Sequence, residues 1–269
     1  MPYHNPWIPK SALRYLTQAS GSILDVGGGA APYRRATHIL DILPFDAQRL
    51  TQNAWETGDR PRAGGPWRND RRPRTMADER TERVEWSETQ YTQWDVCDGK
   101  PWPFKNDTFD LGLSSHCLED LPSPFHAVRE LSRVCRRVLI ITPSRLIEQM
   151  MGINNLREVG FRHHHWMVFP GEKGEIVFQR KSERLYRDGC HVRCPAGKTL
   201  PIELGSIAFF GSSFEPREKT FPDEAAELAD LRAFVNEWEA RGNLFVRDPR
   251  ARSWRYWVYR WKQRWWAED

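Results

Sequence analysis

Ser22 to Val26 (SILDV) is a short apolar run that ends in three glycines, Gly27 to Gly29, and two alanines. A run of that length, closed by glycine, reads as a buried strand that stops in a tight turn. Glycines there permit positive φ and leave backbone bare enough for a ligand to lie against it. Further short apolar runs follow at Thr37 to Ile42, Tyr91 to Val96, Asp110 to Ser115 and Arg137 to Thr142, the last stopped by Pro143. Between the last two, Phe125 to Val134 sets Phe125, Val128 and Leu131 on one helical face, with Ser132 at its edge. Strands alternating with helices predict an α/β fold with a mostly parallel sheet and helices on both faces.

The glycine turn excludes two ligand classes. A dinucleotide-binding turn wants a third glycine where this chain has Pro32, and no Gly-Lys-Ser/Thr run is present for a triphosphate. Acidic residues instead close three of the predicted strands: Asp25, Asp41 and Asp95. Open α/β sheets bind ligands at the carboxyl ends of their strands. Two carboxylate oxygens match the cis-diol of a ribose, which suits Asp41, and a carboxylate also accepts from an exocyclic amino group, which suits Asp95. Taken singly, each aspartate reads equally as a solvated strand end or a helix cap.

Asp95 to Ser144 resembles the class I S-adenosylmethionine-dependent methyltransferases, specifically the type 11 group. Pro103-Phe104 with Asn106 to Asp110 is similar to that group's P-F-x-[DN]-x-[ST]-F-D segment. Ser114 to Glu119 is similar to its S-x-x-L-E-H segment, with Asp120 in place of the final His. The resemblance covers about half the chain. It implies a Rossmann-like fold with a seven-stranded type of sheet, and S-adenosyl-L-methionine as cofactor. By the same resemblance Asp25, Gly27, Gly28 and Gly29 hold the methionine end, Asp41 with Ile42 the ribose side, and Asp95 with Val96 the adenine. Ser115 and His116 then lie beside the sulfonium, and His116 is the candidate general base. Two features depart from the group: a short span between Gly29 and Asp41, and no Pro-Gly-Gly turn before the fifth strand.

Residues 1–150 are thus expected to form the cofactor-binding domain. Residues 51–90 within it, rich in Arg, Asp, Gly and Pro, read as a mobile surface insertion. Residues 151–222 read as a β-rich, substrate-side segment. In it His165 to Phe169 and Glu175 to Gln179 flank Gly-Glu-Lys-Gly as a hairpin. His163, His164 and His165 are substrate candidates, or else pack a hairpin face; in extended chain His163 and His165 share one side and His164 takes the other. Residues 223–269 read as a helical extension: an amphipathic helix over 223–241 followed by Gly242, then a Trp/Arg-rich end. In 252–266, Trp254, Trp257, Val258, Trp261 and Trp265 form a helical stripe that reads as core packing, or as a peripheral membrane or protein contact.

Net charge is +4 from 40 basic and 36 acidic residues, too even to call for nucleic acid. There is no run of about 18 apolar residues, no secretory leader is expected from the N-terminal residues, and five scattered cysteines argue for reduced thiols. A cytoplasmic protein without a metal is expected, with a peripheral contact at the inner membrane surface as the alternative. Methyl transfer to a small-molecule or glycan-type acceptor is the leading expectation, and a non-catalytic scaffold or partner-binding protein of the same fold is the other reading. The oligomeric state is not legible.

Overall fold

A computed structural model describes residues 21–28, 32–33, 35–45, 87–153, 157–201, 204–242 and 244–248. Most of the predicted insertion, together with Gly29 and the 252–266 stripe, lies outside the described residues. The chain divides into two compact units, residues 1–141 with 208–215, and residues 142–207 with 216–269.

The first unit is built on a six-stranded sheet. Its strands are β1 (Ile23–Val26), β2 (His38–Asp41), β3 (Tyr91–Gln93), β4 (Leu111–Ser115), β5 (Val138–Pro143) and β11 (Ser206–Gly211), in the spatial order β11-β5-β4-β1-β2-β3. β1 pairs in parallel with β2 and β4, β2 with β3, and β4 with β5. Parallel strands are covered on both faces, so β1 and β5 are buried along their whole length. Side chains alternate across the sheet. Ile23, Leu111, Leu113, Leu139 and Ile141 cluster on one face. On the other, the helix α1 (Phe125–Val134) packs so closely that a Cβ on Gly112 would meet Cys135 Sγ at 2.6 Å and Leu131 at 2.9 Å. Only glycine fits there. α1 buries Val128 and Leu131 as expected, together with Ala127, Glu130 and Val134, while Phe125 and Ser132 are half-buried at the edge of the stripe.

α1 also holds the Pro103–Asp110 segment in place. Glu130 accepts from the Trp102 amide at 2.6 Å, and Arg133 donates to the carbonyls of Phe104 at 2.9 Å and Trp102 at 3.2 Å. Asp110 ties the start of β4 to the start of β1, accepting from Ser22 N at 2.9 Å and Arg136 at 2.9 Å. The motif residues in this stretch are therefore scaffold.

In the second unit α2 (Arg145–Glu148) leads into β6 (Met150–Met151), which pairs with β9 (Val192–Arg193). The predicted hairpin forms as β7 (Trp166–Pro170) and β8 (Ile176–Arg180), antiparallel, with Gly174 at φ +84 in the turn. β12 (Pro216–Lys219) adds to β8 in parallel, and β10 (Lys198–Thr199) pairs with β13 (Val246–Arg247). The helix α3 (Glu224–Ala240) sits within a residue of its expected ends. Asp223 caps it, its carboxylate accepting from Ala226 N at 2.9 Å, and Gly242 at φ +60 follows its end. Asp223→Ala is expected to cost about 1 kcal/mol, read as a lower urea midpoint at unchanged slope.

Candidate functional site

The carboxyl ends of β1, β2 and β4 lie side by side because Val26 pairs with Leu40 on one side and with Ser114 on the other. Immediately beyond β1, Gly27 turns at φ +69. A Cβ there would meet Cys117 Sγ at 2.2 Å, and one on Gly28 would come within 2.8 Å of Asp25 Oδ2. At Gly27 the turn after β1 meets the loop after β4, and at Gly28 it closes on Asp25 and Pro32, which is the physical reason for glycine at each position.

Asp25 is 2% exposed, and its Oδ2 accepts from the Tyr33 amide at 2.6 Å. It pins the far side of the glycine turn. Burial lifts its carboxyl from an ordinary 3.8 to about 6, against the pull of the Tyr33 amide and with a further push from Asp41. Asp41 is buried at the end of β2 and accepts from Leu43 N at 3.0 Å. Beyond it Ile42 and Leu43 are 60% and 41% exposed. Their loop is braced from β3: the Tyr91 hydroxyl donates to the Leu43 carbonyl, and Gln93 donates to the Ile42 carbonyl at 3.2 Å. A carboxylate beside exposed apolar side chains suits a nucleoside, which offers a diol and a flat apolar base.

Asp95 differs from expectation in its setting. β3 stops at Gln93, and Asp95 stands in the turn beyond it. Its Oδ1 accepts from Cys97 N at 2.9 Å and its carbonyl from Asp98 N at 3.3 Å. A side chain that bonds its own backbone two residues on favours a turn over continued pairing. Val96 is buried behind it.

The loop after β4 carries the remaining candidates. Ser115 ends the strand half-buried, and His116 follows at φ +53, a conformation rare outside glycine. Its amide donates to the Ile141 carbonyl at 2.8 Å, and its side chain is 49% exposed. A short turn over Leu118–Asp120 then carries Glu119 inward to 1% exposure, with its Oε1 3.5 Å from His116 Nδ1. Glu119 had no assigned role on sequence grounds. Burial pushes the Cys117 thiol well up, and the negative charges of Glu119, Asp41, Asp120 and Asp25 push it further, in that order. The strand ends therefore concentrate negative charge around the Gly27–Cys117 contact, a field that favours a cation.

Buried polar atoms without a partner also gather along this edge. They include Trp94 Nε1 beyond β3, Ser114 Oγ in β4 and both Glu119 oxygens. Such atoms are rare in folded chains and call for a reason. Bare glycines, a sugar-matching carboxylate, exposed Ile42 and a negative field fit S-adenosylmethionine, with its adenosine and its sulfonium.

The three histidines belong to the second unit. His164 is buried while His163 and His165 are exposed, but the chain here is not extended: Arg162 and His163 form a turn in which the His164 amide donates to the Phe161 carbonyl at 3.2 Å. His164 Nδ1 lies 2.6 Å from Glu148 Oε1, and Lys181 Nζ donates to Glu148 Oε2 at 2.8 Å. His163 packs edge-on against His164, ring centres 4.3 Å apart. His164 and His165 also line a cavity of about 550 Å³ with Lys181, Arg180, Ser182 and Tyr186.

Residues 70–139 match the family model described as a methyltransferase domain. Among solved structures the chain is similar to the YcgJ protein of Bacillus subtilis, at 19% identity over 48% of this chain and 48% of that one, TM-score 0.29. It is similar to a SAM-dependent methyltransferase from Aquifex aeolicus, at 15% identity over 54% and 69%, TM-score 0.31. It is similar to an S-adenosylmethionine-dependent methyltransferase from Mesorhizobium loti, at 13% identity over 60% and 57%, TM-score 0.29. The chain thus spans about half the length of the first of these. No curated protein matches it. Structural likenesses this loose carry no weight for chemistry, and the family match and the sheet order do that work. The sheet order is thus that of a mostly parallel α/β fold, and residues 70–139 are of the methyltransferase-domain type, a family whose cofactor is S-adenosylmethionine.

Proposed function

We propose that the protein transfers a methyl group from S-adenosylmethionine to oxygen or nitrogen of a small-molecule or glycan-type acceptor. The observation that carries this reading is the convergence of Asp25, Asp41, Glu119 and the bare Gly27–Gly28 turn at one edge of the sheet, with exposed His116 beside them.

In this reading Asp41 accepts from the ribose hydroxyls and Ile42 lies along the base. Asp95 accepts from the exocyclic amino group, with Val96 behind it. The turn of Gly27, Gly28 and Gly29, braced by Asp25, faces the methionine end, and Ser115 lies near the sulfonium. When bound, the cofactor supplies an electrophilic methyl group on a sulfur that leaves as a neutral thioether. His116 takes the proton that the acceptor gives up, and holding acceptor and cofactor in line supplies most of the acceleration. His163, His164 and His165 are proposed as acceptor contacts. Cytoplasmic location, with 252–266 touching a membrane surface or a protein, belongs to the same proposal. Among the described residues no helix is long and apolar enough to cross a membrane.

Calorimetry of the full chain with S-adenosylmethionine tests the reading. Binding at micromolar levels is expected, and Asp41→Ala is expected to weaken it at least tenfold through lost charge-assisted bonds to the ribose. An unmodified chain that gives no binding heat defeats the proposal. The acceptor class is then read by mass spectrometry of metabolites from cells with and without the gene, seeking compounds that differ by one methyl group.

A further inference from the structure

We infer that Glu119 is a positioning residue that acts through His116, fixing which ring nitrogen carries the proton and facing the charge that the ring acquires. The inference rests on the proposed role of His116 as the base. Three observations lead to it.

The first is the contrast among buried glutamates. Glu130 accepts from Trp102 N at 2.6 Å and from Arg133 at 2.6 and 2.8 Å. Glu148 accepts from Lys181 at 2.8 Å and meets His164 at 2.6 Å. Glu119, at 1% exposure, accepts no hydrogen bond on either oxygen. A buried carboxylate left without donors weakens the fold, so its presence calls for a purpose outside the fold.

The second is the direction of approach. The Cys117 thiol feels the charge of Glu119, and the cationic partner within ion-pair reach among the described residues is the His116 ring, whose Nδ1 lies 3.5 Å from Oε1. That is longer than a hydrogen bond. Catalytic contacts are often long before the complex forms and close within it. A proton on Nδ1, directed at Glu119, leaves the lone pair on Nε2 for the acceptor.

The third is the backbone. His116 holds φ +53, and the turn over Leu118–Asp120 brings Glu119 back beside the ring three residues later. A left-handed residue at a loop of this kind persists where the surroundings demand it. With S-adenosylmethionine bound to supply the methyl group, its C–S electron pair staying on the departing thioether, His116 Nε2 would take the proton that the acceptor X–H gives up as X gains the methyl. The imidazolium so formed keeps its Nδ1–H toward Glu119, which offsets the new charge without taking the proton.

The test uses the full chain with ¹⁵N-labelled histidine, the His116 signals being assigned with His116→Gln. Long-range proton–nitrogen spectra report the tautomer directly. In the unmodified chain the neutral ring is expected to carry its proton on Nδ1. In Glu119→Leu it is expected to revert to the Nε2–H form that an unconstrained histidine side chain prefers. Glu119→Gln keeps an acceptor but not the charge, and is expected to populate both forms. Glu119→Leu is expected to melt at the same temperature or several degrees higher, because no hydrogen bond is lost. Its affinity for S-adenosylmethionine is expected to fall severalfold at most, by the share of the negative field that Glu119 supplies.

An Nε2–H ring in the unmodified chain, or a tautomer unchanged in Glu119→Leu, overturns the inference. So does loss of the cooperative melt in both variants, which marks Glu119 as structural, or a tenfold loss of cofactor affinity in Glu119→Leu, which places it on the cofactor. Failure of the unmodified chain to bind S-adenosylmethionine defeats the methyltransferase reading by itself and leaves the tautomer result standing.

Discussion

Glu148→Ala is expected to destabilise the second unit by about 3–5 kcal/mol, the usual cost of removing one partner from a buried ion pair. Glu148 is fully buried at the end of α2. Its carboxylate meets His164 Nδ1 at 2.6 Å, Lys181 Nζ at 2.8 Å and the Phe161 amide at 3.4 Å. Lys181 donates also to the Phe161 carbonyl at 2.6 Å and the Val159 carbonyl at 3.4 Å. One carboxylate therefore gathers the loop over 159–164 and the residue just after β8. The chain closes on it so tightly that a Cβ on Gly160 would lie 2.5 Å from the Glu148 carbonyl oxygen. Truncation leaves an ammonium buried with carbonyls alone.

Thermal and urea melts check the size of the effect, with two transitions allowed for because the chain has two units. Lys181→Met in the Glu148→Ala background is expected to recover part of the loss, since the stranded charge is then gone, giving a coupling of about 1–3 kcal/mol. A loss under about 1 kcal/mol for Glu148→Ala contradicts this account of the network. The same variant bears on the histidines. If His164 contacts acceptor, releasing its Nδ1 from Glu148 disturbs it, whereas exposed His165 keeps its place.

The parts of this molecule that were legible in the sequence are those governed by short-range patterns. β1 and β5 read as strands because short apolar runs closed by glycine or proline mark them, and α1 because Phe125, Val128 and Leu131 recur at helical spacing. Gly27 and Asp41 were found because a strand end has one neighbourhood whatever the rest of the fold does. Asp95 reads as a strand residue because Tyr91 to Val96 alternates well enough, whereas its own side chain draws Cys97 N into a turn, a competition that alternation does not register. Ser206–Gly211 joins the central sheet beside β5, a pairing across more than sixty residues that no local pattern announces. Glu148 meets partners 13, 16 and 33 positions away, and separations of that kind leave no periodic trace. Glu119 was visible only as a letter in a motif, since its burial depends on how the turn after β4 folds back.

Between about pH 4 and 6 the first unit is expected to lose about 3 kcal/mol through Asp25 as pH rises. The folded carboxyl is raised from 3.8 to about 6, and each pH unit of displacement corresponds to about 1.4 kcal/mol. The sign follows from proton counting. Across this interval the folded chain keeps a proton on Asp25 that the unfolded chain has released, so stability falls with pH and then levels off above about 6. Asp98, Glu130, Glu175, Glu224 and Asp230 are all shifted the other way and favour the folded state at higher pH. A melt of the unmodified chain alone therefore mixes opposed contributions. The difference between it and Asp25→Asn isolates the one residue, because Asn still offers an oxygen to the Tyr33 amide and the other carboxylates cancel. The two proteins are expected to be about equally stable near pH 4, and Asp25→Asn to be the more stable by up to about 3 kcal/mol at pH 7. A difference that does not grow between pH 4 and 6.5, followed by urea titration in steps of half a pH unit, shows that Asp25 ionises without cost in its buried place. The expected growth shows instead that an acidic side chain has been kept beneath the glycine turn at the expense of stability, as a residue serving a cationic ligand is.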